Sequence, residues 1–446
     1  MSPPELSISA QEATSKVPVV FKALEWLMEN PYHEQANPSG IINAGVAANT
    51  TIQKQLLERL TSINDGFIAP DLEYNMPYGN PDLRTEIAEV FNRHFKPVDS
   101  VSSESVVVTN GCTSAIEMLC CAMCNPGDHV LIPAPCYLAL KGDMGLRAQA
   151  VATPVQLPLD DAMEASQIVY FEQAIKEIEA KGKAAKVLFL MSPHNPLGAS
   201  YPRAVLQEFF RFAQKHGLFV VMDEIYALSV FDTSDDVAPF ESVLSWTDLD
   251  TYIDPKSVVV LHGLSKDFGL NGFRMGWALS PWNHDLVNVL RSYSPFGYRP
   301  SYTDRLITKF LGNREYIDSI LQISQQNLAA NYQITTRVLD QHAIRYIPCT
   351  AGHFVWLQLP ISACTKVLRA EGHISTVEEA AGVKWTPENE LLVWESLTKK
   401  SRVYLPPGQS FFSVDSGWFR LTFSIDKSEL KIALDRLIEA CIDSPA

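Results

Sequence analysis

The run Ser265-Lys266-Asp267-Phe268-Gly269-Leu270, continued by Asn271-Gly272-Phe273-Arg274-Met275-Gly276, decides how this chain reads. The run Ser257 to Leu261 predicts a buried strand, and Lys266 lies just past its end, behind Gly263 and Ser265. A lysine fixed there can condense with an aldehyde. Arg274 follows eight residues later among three glycines. Glycine lets backbone approach a ligand closely, and a guanidinium offers a planar fork to a phosphate. Read alone, the segment also fits a surface lysine in a glycine-rich loop. The ends of the other strands decide between the two.

From residue 105 onward, strands and helices alternate. Strands are predicted at Ser105–Thr109, His129–Pro133, Lys186–Met191, Leu218–Met222, Ser257–Leu261 and Met275–Ser280, with helices at Thr113–Cys124, Tyr170–Ala180 and Arg203–His216. Strands apolar almost throughout and joined by helices imply an α/β fold, its mainly parallel sheet covered on both faces. Upstream, helices are predicted at 17–30, 51–63 and 82–95. Downstream come a long helix over 304–340, broken near Gly312, and a strand at Phe354–Leu359. A charged helical stretch follows at 377–400, then strands at Arg402–Leu405 and Trp418–Ser424 and a last helix at Lys427–Ile442. This tail predicts a smaller α+β domain.

Three more strand ends carry chemistry. Thr109-Asn110-Gly111-Cys112-Thr113-Ser114 opens a helix, whose outward N–H groups suit a phosphate. A plain N-cap reads the same way. Met191-Ser192-Pro193-His194-Asn195-Pro196-Leu197-Gly198 forces a turn that places Asn195 at a strand's C-terminal end, where open α/β sheets bind ligands. Asp223 leaves the apolar run Leu218–Met222, with Tyr226 close behind. A buried carboxylate needs a cation, and a protonated pyridine nitrogen would serve. Together these ends offer a phosphate cradle, a carboxamide, a carboxylate with a phenol, and a lysine with an arginine. One small molecule, pyridoxal 5′-phosphate, calls for all of them.

Composition narrows the remaining classes. The chain has 446 residues, 46% hydrophobic and 20% charged, with a formal net charge of −15. That diffuse acidity argues against nucleic acid or an anionic membrane as a partner. No apolar run reaches the ~18 residues a membrane span requires. Met1-Ser2-Pro3-Pro4-Glu5 lacks the features of a secretory signal. Eight cysteines without framework spacing predict reduced thiols and a cytoplasmic location. Cys121 and Cys124 form a C-x-x-C on a helical run, which predicts core packing and no metal site.

The ordered set of motifs resembles the class I/II aminotransferases, pyridoxal-phosphate enzymes of fold type I, and within them the 1-aminocyclopropane-1-carboxylate (ACC) synthases. The likeness runs from about residue 37 to 435. It includes Asn37 to Asn49 as a substrate loop, Pro133-Ala134-Pro135-Cys136-Tyr137, Pro406-Pro407-Gly408 and Gly417-Trp418-Phe419-Arg420. The resemblance implies a segment 1–60 packed with the small domain, a large cofactor domain at 61–310 and a small α+β domain at 311–446. It implies that Lys266 holds the cofactor covalently and serves as general base, with Asp223 on the pyridine nitrogen. Asn195 and Tyr226 would bond its phenolic oxygen, and Tyr137 would stack on its ring. Gly111, Cys112, Thr113, Ser265 and Arg274 would hold the phosphate. Arg420 would clamp the α-carboxylate of an amino-acid substrate, with Ala48, Asn195 and Tyr137 beside it. A homodimer would share its active sites through a tyrosine, either Tyr74, which has the aminotransferase-like spacing to Gly79 and is preferred, or Tyr78, which lies nearer the ACC-synthase position.

Two departures stand out. ACC synthases carry a glutamate where this chain has Ala48, and that carboxylate is associated with the sulfonium of S-adenosylmethionine. An alanine cannot attract a cation, which implies a different substrate. Gly263 replaces a serine that would add a phosphate bond worth about 1 kcal/mol. Ala48, Tyr137, His353 and Phe354 are read as lining a neutral to apolar substrate pocket. The expected activity is elimination or replacement at an amino-acid side chain, carbon–sulfur lysis included, with amino transfer as the alternative. A binding protein that has lost catalysis fits less well, since Lys266, Asp223 and Arg420 are all present. A nicotinamide enzyme is disfavoured because no G-x-G-x-x-G opens a helix after the early strands.

Overall fold

The computed structural model describes residues 6–7, 10–11, 20–232 and 238–441. The strands are β1 (Ile42–Asn43), β2 (Val106–Thr109), β3 (His129–Ala134), β4 (Val151–Gln156), β5 (Ala185–Met191), β6 (Phe219–Asp223), β7 (Val258–Gly263), β8 (Gly276–Leu279), β9 (Arg345–Ile347), β10 (Phe354–Gln358), β11 (Val403–Tyr404) and β12 (Trp418–Thr422). Seven of them form one sheet in the order β2-β8-β7-β6-β5-β3-β4. Only β8 runs against its neighbours.

Burial explains why these strands read as apolar throughout. Val258 and Val260 of β7 enter one core, while Val259 and Leu261 enter the core on the other face. The same alternation divides Leu188 and Leu190 from Val187 and Phe189 on β5. A sheet covered on both faces leaves no polar side to its central strands. One cover is the helix Arg203–His216, whose Val205, Leu206, Phe209, Phe210, Phe212 and Ala213 are buried. It ends at Gly217, with φ 63°, where a left-handed residue closes the last turn.

The edge strand β4 was not visible in the sequence. It carries Pro154 and much exposed surface, and proline is tolerated in a sheet only at an edge or a bulge. The predicted helix over 304–340 is two helices, Ser301–Leu311 and Arg314–Gln341, separated at Gly312 and Asn313. Asn313 restarts it by accepting a bond from the Tyr316 N–H at 3.0 Å. The stretch at 377–400 is likewise split, into Val377–Ala381 and Pro387–Lys399, because proline suits a first helical turn but not an interior. The N-terminal helix is described over Val20–Glu29 and has ended by Asn30, while residues 17–19 of its predicted span lie outside the described residues.

The helix Arg314–Gln341 buries Ile317, Ile320 and Leu321 in the core of the large sheet and Leu328 and Leu339 in a second core. That second core joins Ala23, Leu27, Ile41 and Ile42 to Val355, Leu357, Phe419 and Leu421. Its sheet is β12-β10-β9, antiparallel, with Trp356 opposite Arg420. β1 pairs in parallel with β11.

Glu390, fully buried on the helix Pro387–Lys399, fixes the loop that leads into β12. It accepts bonds from the Gln409 N–H at 2.8 Å and the Gly417 N–H at 2.6 Å. Glu390→Ala leaves both donors without this acceptor and should lower unfolding free energy by about 2–5 kcal/mol. Glu390→Gln, which keeps a carbonyl oxygen, should lose roughly half as much. Urea denaturation measures both, and an alanine variant as stable as the parent would contradict the assignment.

Candidate active site

The C-terminal ends of β5, β6 and β7 lie side by side, with Met191 opposite Asp223 and Asp223 opposite Leu261. Neighbouring strands are about 4.8 Å apart, so Asp223, at the end of β6, shares one rim with Asn195 and Lys266 in the turns after β5 and β7. β2 is parallel to β7, since each is antiparallel to β8 between them. Its end brings Gly111 to the same edge.

Lys266 sits on a tight turn closed by bonds from the Gly269 N–H to the Lys266 carbonyl and from the Leu270 N–H to the Leu264 carbonyl, each 3.0 Å. Gly269 takes φ +63° there, with Asn49, Leu56 and Ile52 packed against it. The Lys266 Nζ donates to the carbonyl of Ala47 at 2.6 Å and stands 6.0 Å from the centre of the Tyr226 ring. Burial, with Arg420 and Arg274 nearby, brings its ammonium down to about 8.

Arg420 is 3% exposed. It donates through Nη1 to Asn195 Oδ1 at 3.0 Å and through Nη2 to the Gly45 carbonyl, while Nε has no partner among the described residues. Phe354 and Phe411 lie against its guanidinium at 4.8 and 4.9 Å. Among the described residues neither Arg420 nor Lys266 forms a salt bridge with a carboxylate. Asp223, also 3% exposed, accepts from the Ile225 N–H at 3.2 Å, and burial raises its carboxyl to about 7.

The phosphate candidates meet at one point. A Cβ on Gly111 would come within 2.6 Å of Arg274 Nη2, and one on Gly276 within 2.6 Å of the Cys112 nitrogen. Gly111 adopts φ +77° and Arg274 φ +50°. Thr113 lies beside Asp143, a carboxyl that no motif in the sequence marks. Burial raises Asp143 to about 6, and its Oδ2 is buried without a partner among the described residues. Ser265 and Tyr137 are half-buried beside this cluster. Burial raises the Tyr137 hydroxyl, with Asp143 and Asp223 adding to the shift and Arg420 opposing it.

The two tyrosines considered for a shared site differ sharply. Tyr78 is held within its own chain, with Arg84 and Arg291 over its ring at 5.0 and 4.8 Å. Tyr74 is 97% exposed and stacks on Tyr298 at 6.3 Å. His353 and Phe354, read from sequence as pocket lining, are both fully buried and pack edge-on to Tyr226 at 5.2 and 5.3 Å. Phe354 also lies against the Arg420 guanidinium. Ala48 is half-buried, and its carbonyl accepts from Ser424 Oγ at 2.8 Å.

The family model described as aminotransferase class I and II matches residues 68–437. The chain belongs to that family. It is 32% identical to the mouse protein named "Probable inactive 1-aminocyclopropane-1-carboxylate synthase-like protein 2", over 93% of this chain and 68% of that one. It is 30% identical to "Probable aminotransferase sirI" of Leptosphaeria maculans, over 98% of each chain. The fold matches an aspartate aminotransferase of Thermus thermophilus with a TM-score of 0.72 and 20% identity, covering 98% of this chain and all of that one.

Class I and II aminotransferases depend on pyridoxal phosphate, and the residues here fit it. Asp223 is a buried carboxylate with no cationic partner among the described residues, suited to a pyridinium N–H. The close approach of Gly111 to Arg274 suits a phosphate. Gly263 adds a correction to the simple loss of a serine hydroxyl. A Cβ there would lie 2.9 Å from both Gly276 Cα and the Met275 carbonyl, and 3.3 Å from Cys112 Sγ, which itself bonds the His262 carbonyl. The space that a serine would need is already filled, in part by Cys112.

Gly263→Ser should therefore destabilise the fold by about 1–3 kcal/mol through overpacking, without tighter cofactor binding. Thermal melting and a pyridoxal phosphate titration report the two effects, and a stable, tighter-binding variant would contradict the packing argument. The lowered ammonium of Lys266 gives a pH prediction, because only the neutral amine attacks an aldehyde. Capture of pyridoxal phosphate by cofactor-free protein should rise with pH to a half-maximum near 8. A rate still climbing through pH 10 would show an ordinary solvated lysine.

Proposed function

We propose that this chain is a pyridoxal-phosphate enzyme that removes the α-proton of an amino acid and then eliminates or replaces a group on its side chain. The observation that carries the reading is the pairing of a lysine brought down to about 8 with a buried arginine fork. Arg420 would take the substrate carboxylate through two parallel bonds and so orient Cα. The Lys266 amine, neutral in much of the population near pH 8, would accept the α-proton, a step worth about 10²–10⁴ in rate. Asp223 would bond the pyridine nitrogen, Asn195 and Tyr226 the phenolic oxygen, and Tyr137 would stack on the ring. The Thr109–Ser114 turn, Ser265 and Arg274 would anchor the phosphate. When bound, the cofactor supplies an electron sink for the charge that develops at Cα.

Amino transfer is the second reading. It is favoured by the fungal relative that matches end to end and is named as an aminotransferase. A mouse relative's name marks it as inactive; an active enzyme is supported here by the presence of Lys266, Asp223 and Arg420 together. The reading includes the division into 1–60, 61–310 and 311–446 and a cytoplasmic location. It also includes a homodimer in which Tyr74 reaches the neighbouring phosphate. The dimer is supported by the exposure of Phe67, Leu72, Tyr74 and Phe296, each above 70%.

The deciding experiment offers purified holoenzyme a panel of amino acids and follows absorbance and products. An unsaturated or side-chain-exchanged product supports the lyase or synthase reading. A 2-oxo acid, with the amino group kept by the enzyme, establishes amino transfer. With Ala48 in place of a carboxylate, S-adenosylmethionine should give no ACC by mass spectrometry; detecting ACC would overturn that substrate assignment. Arg420→Lys should lower kcat/KM by about 100-fold for the substrate so found.

A further inference from the structure

A chain of buried polar side chains starts beside Lys266 and ends in the small antiparallel sheet. Asp267, the residue after the lysine, is 1% exposed. Its carboxylate accepts from His262 Nε2 at 2.8 Å, the Leu228 N–H at 2.9 Å and Ser229 Oγ at 2.5 Å. Ser229 Oγ in turn lies 3.2 Å from His353 Nε2. The serine has one proton, and the short contact assigns it to Asp267. His353 Nε2 must therefore be the donor to Ser229.

That deduction fixes the ring. Burial and the positive charges of Lys266 and Arg420 hold His353 far below the ordinary imidazole value, so it is neutral. With Nε2 protonated, Nδ1 carries only a lone pair, and it has no hydrogen-bond partner among the described residues. The backbone is clamped as well. The Gly352 N–H donates to the Ser229 carbonyl at 3.0 Å, and the Phe423 N–H donates to the His353 carbonyl at 2.9 Å. The imidazole edge meets Tyr226 at 5.2 Å and 81°. A hydrophobic residue would fill the same volume, but it could not bond Ser229 and would leave the ring contact unoriented.

We propose that His353 is a positioning residue, which through the Asp267–Ser229–His353 chain holds the Tyr226 ring against the Lys266 site. This deepens the proposed function and rests on its pyridoxal phosphate chemistry, since Tyr226 is the residue read as bonding the phenolic oxygen. Displacing the Tyr226 hydroxyl would change how easily the bound chromophore gains or loses its proton. The other titratable groups around that chromophore are Arg420, Arg274, Asp223, Asp143, Tyr137 and the Cys112 thiol, and the one side-chain bond described for His353 goes to Ser229 instead.

The test uses holoenzyme variants His353→Leu, His353→Gln and Ser229→Ala, with Tyr226→Phe as reference. Each is titrated from pH 5 to 10 while the visible band of the bound cofactor is recorded, and each is melted thermally. The inference predicts that His353→Leu and Ser229→Ala move the band's pH midpoint in the same direction as Tyr226→Phe, by at least about half a unit. Gln, which can still donate to Ser229, should restore most of the parental midpoint. The double variant should shift no further than either single one, as expected of residues acting in one chain. A melting temperature that falls while the midpoint stays fixed in any soluble variant would overturn the inference and leave the chain a structural clamp. If the parent protein has no visible band, the cofactor assignment fails instead, so the two failures are distinct.

Discussion

Two cations, Lys266 and Arg420, share one desolvated space, and neither forms a salt bridge with a carboxylate among the described residues. Their partners are the carbonyls of Ala47 and Gly45 and the amide oxygen of Asn195. Neutral oxygens satisfy hydrogen bonds without cancelling charge, so the space keeps a positive potential that favours anions. Burial lowers both groups, Arg420 adds to the shift on Lys266, and the effect there turns an ordinary ammonium into an accessible base. The segment 45–48 thus does more than pass by: it supplies the oxygens that make the arrangement tolerable.

The sheet makes this possible by placing groups at strand ends. Asp223 and Glu224 follow one another at the end of β6 and diverge. Asp223 shares the Lys266 environment. Glu224 is sealed away, accepting from Ser242 Oγ at 2.7 Å and the Val243 N–H at 3.1 Å, with its carboxyl raised to about 8 by burial. One carboxyl can face a ligand while its neighbour anchors a loop because successive side chains in a strand point to opposite faces. The second core brings Arg420 and His353 over that rim from another sheet, so the site depends on how two cores are joined along one 28-residue helix.

Much of this was legible in the sequence, for reasons tied to particular residues. The central strands announce themselves because both faces are buried. Lys266, Asp223, Asn195 and Gly111 are legible because each follows such a strand directly. The edge strand β4 hid behind Pro154 and its exposed positions, which mimic a loop. Asp143 could not be found because it sits on a short helix with no motif, and its importance comes from what folds against it. The same holds for the Ala47 and Gly45 carbonyls, since backbone oxygens carry no signature in a sequence. His353 was noticed for its type, but its place behind Tyr226 depends on a tertiary chain through Ser229 and Asp267 that no spacing encodes.

The central claim is that Lys266, at the end of β7, forms a covalent bond to the aldehyde of pyridoxal phosphate. Borohydride reduction of purified protein loaded with the cofactor, followed by peptide mass spectrometry, tests it most directly. One pyridoxyl-phosphate adduct is expected on Lys266 and none in Lys266→Ala protein. An unmodified Lys266, or a label spread over surface lysines, would contradict it.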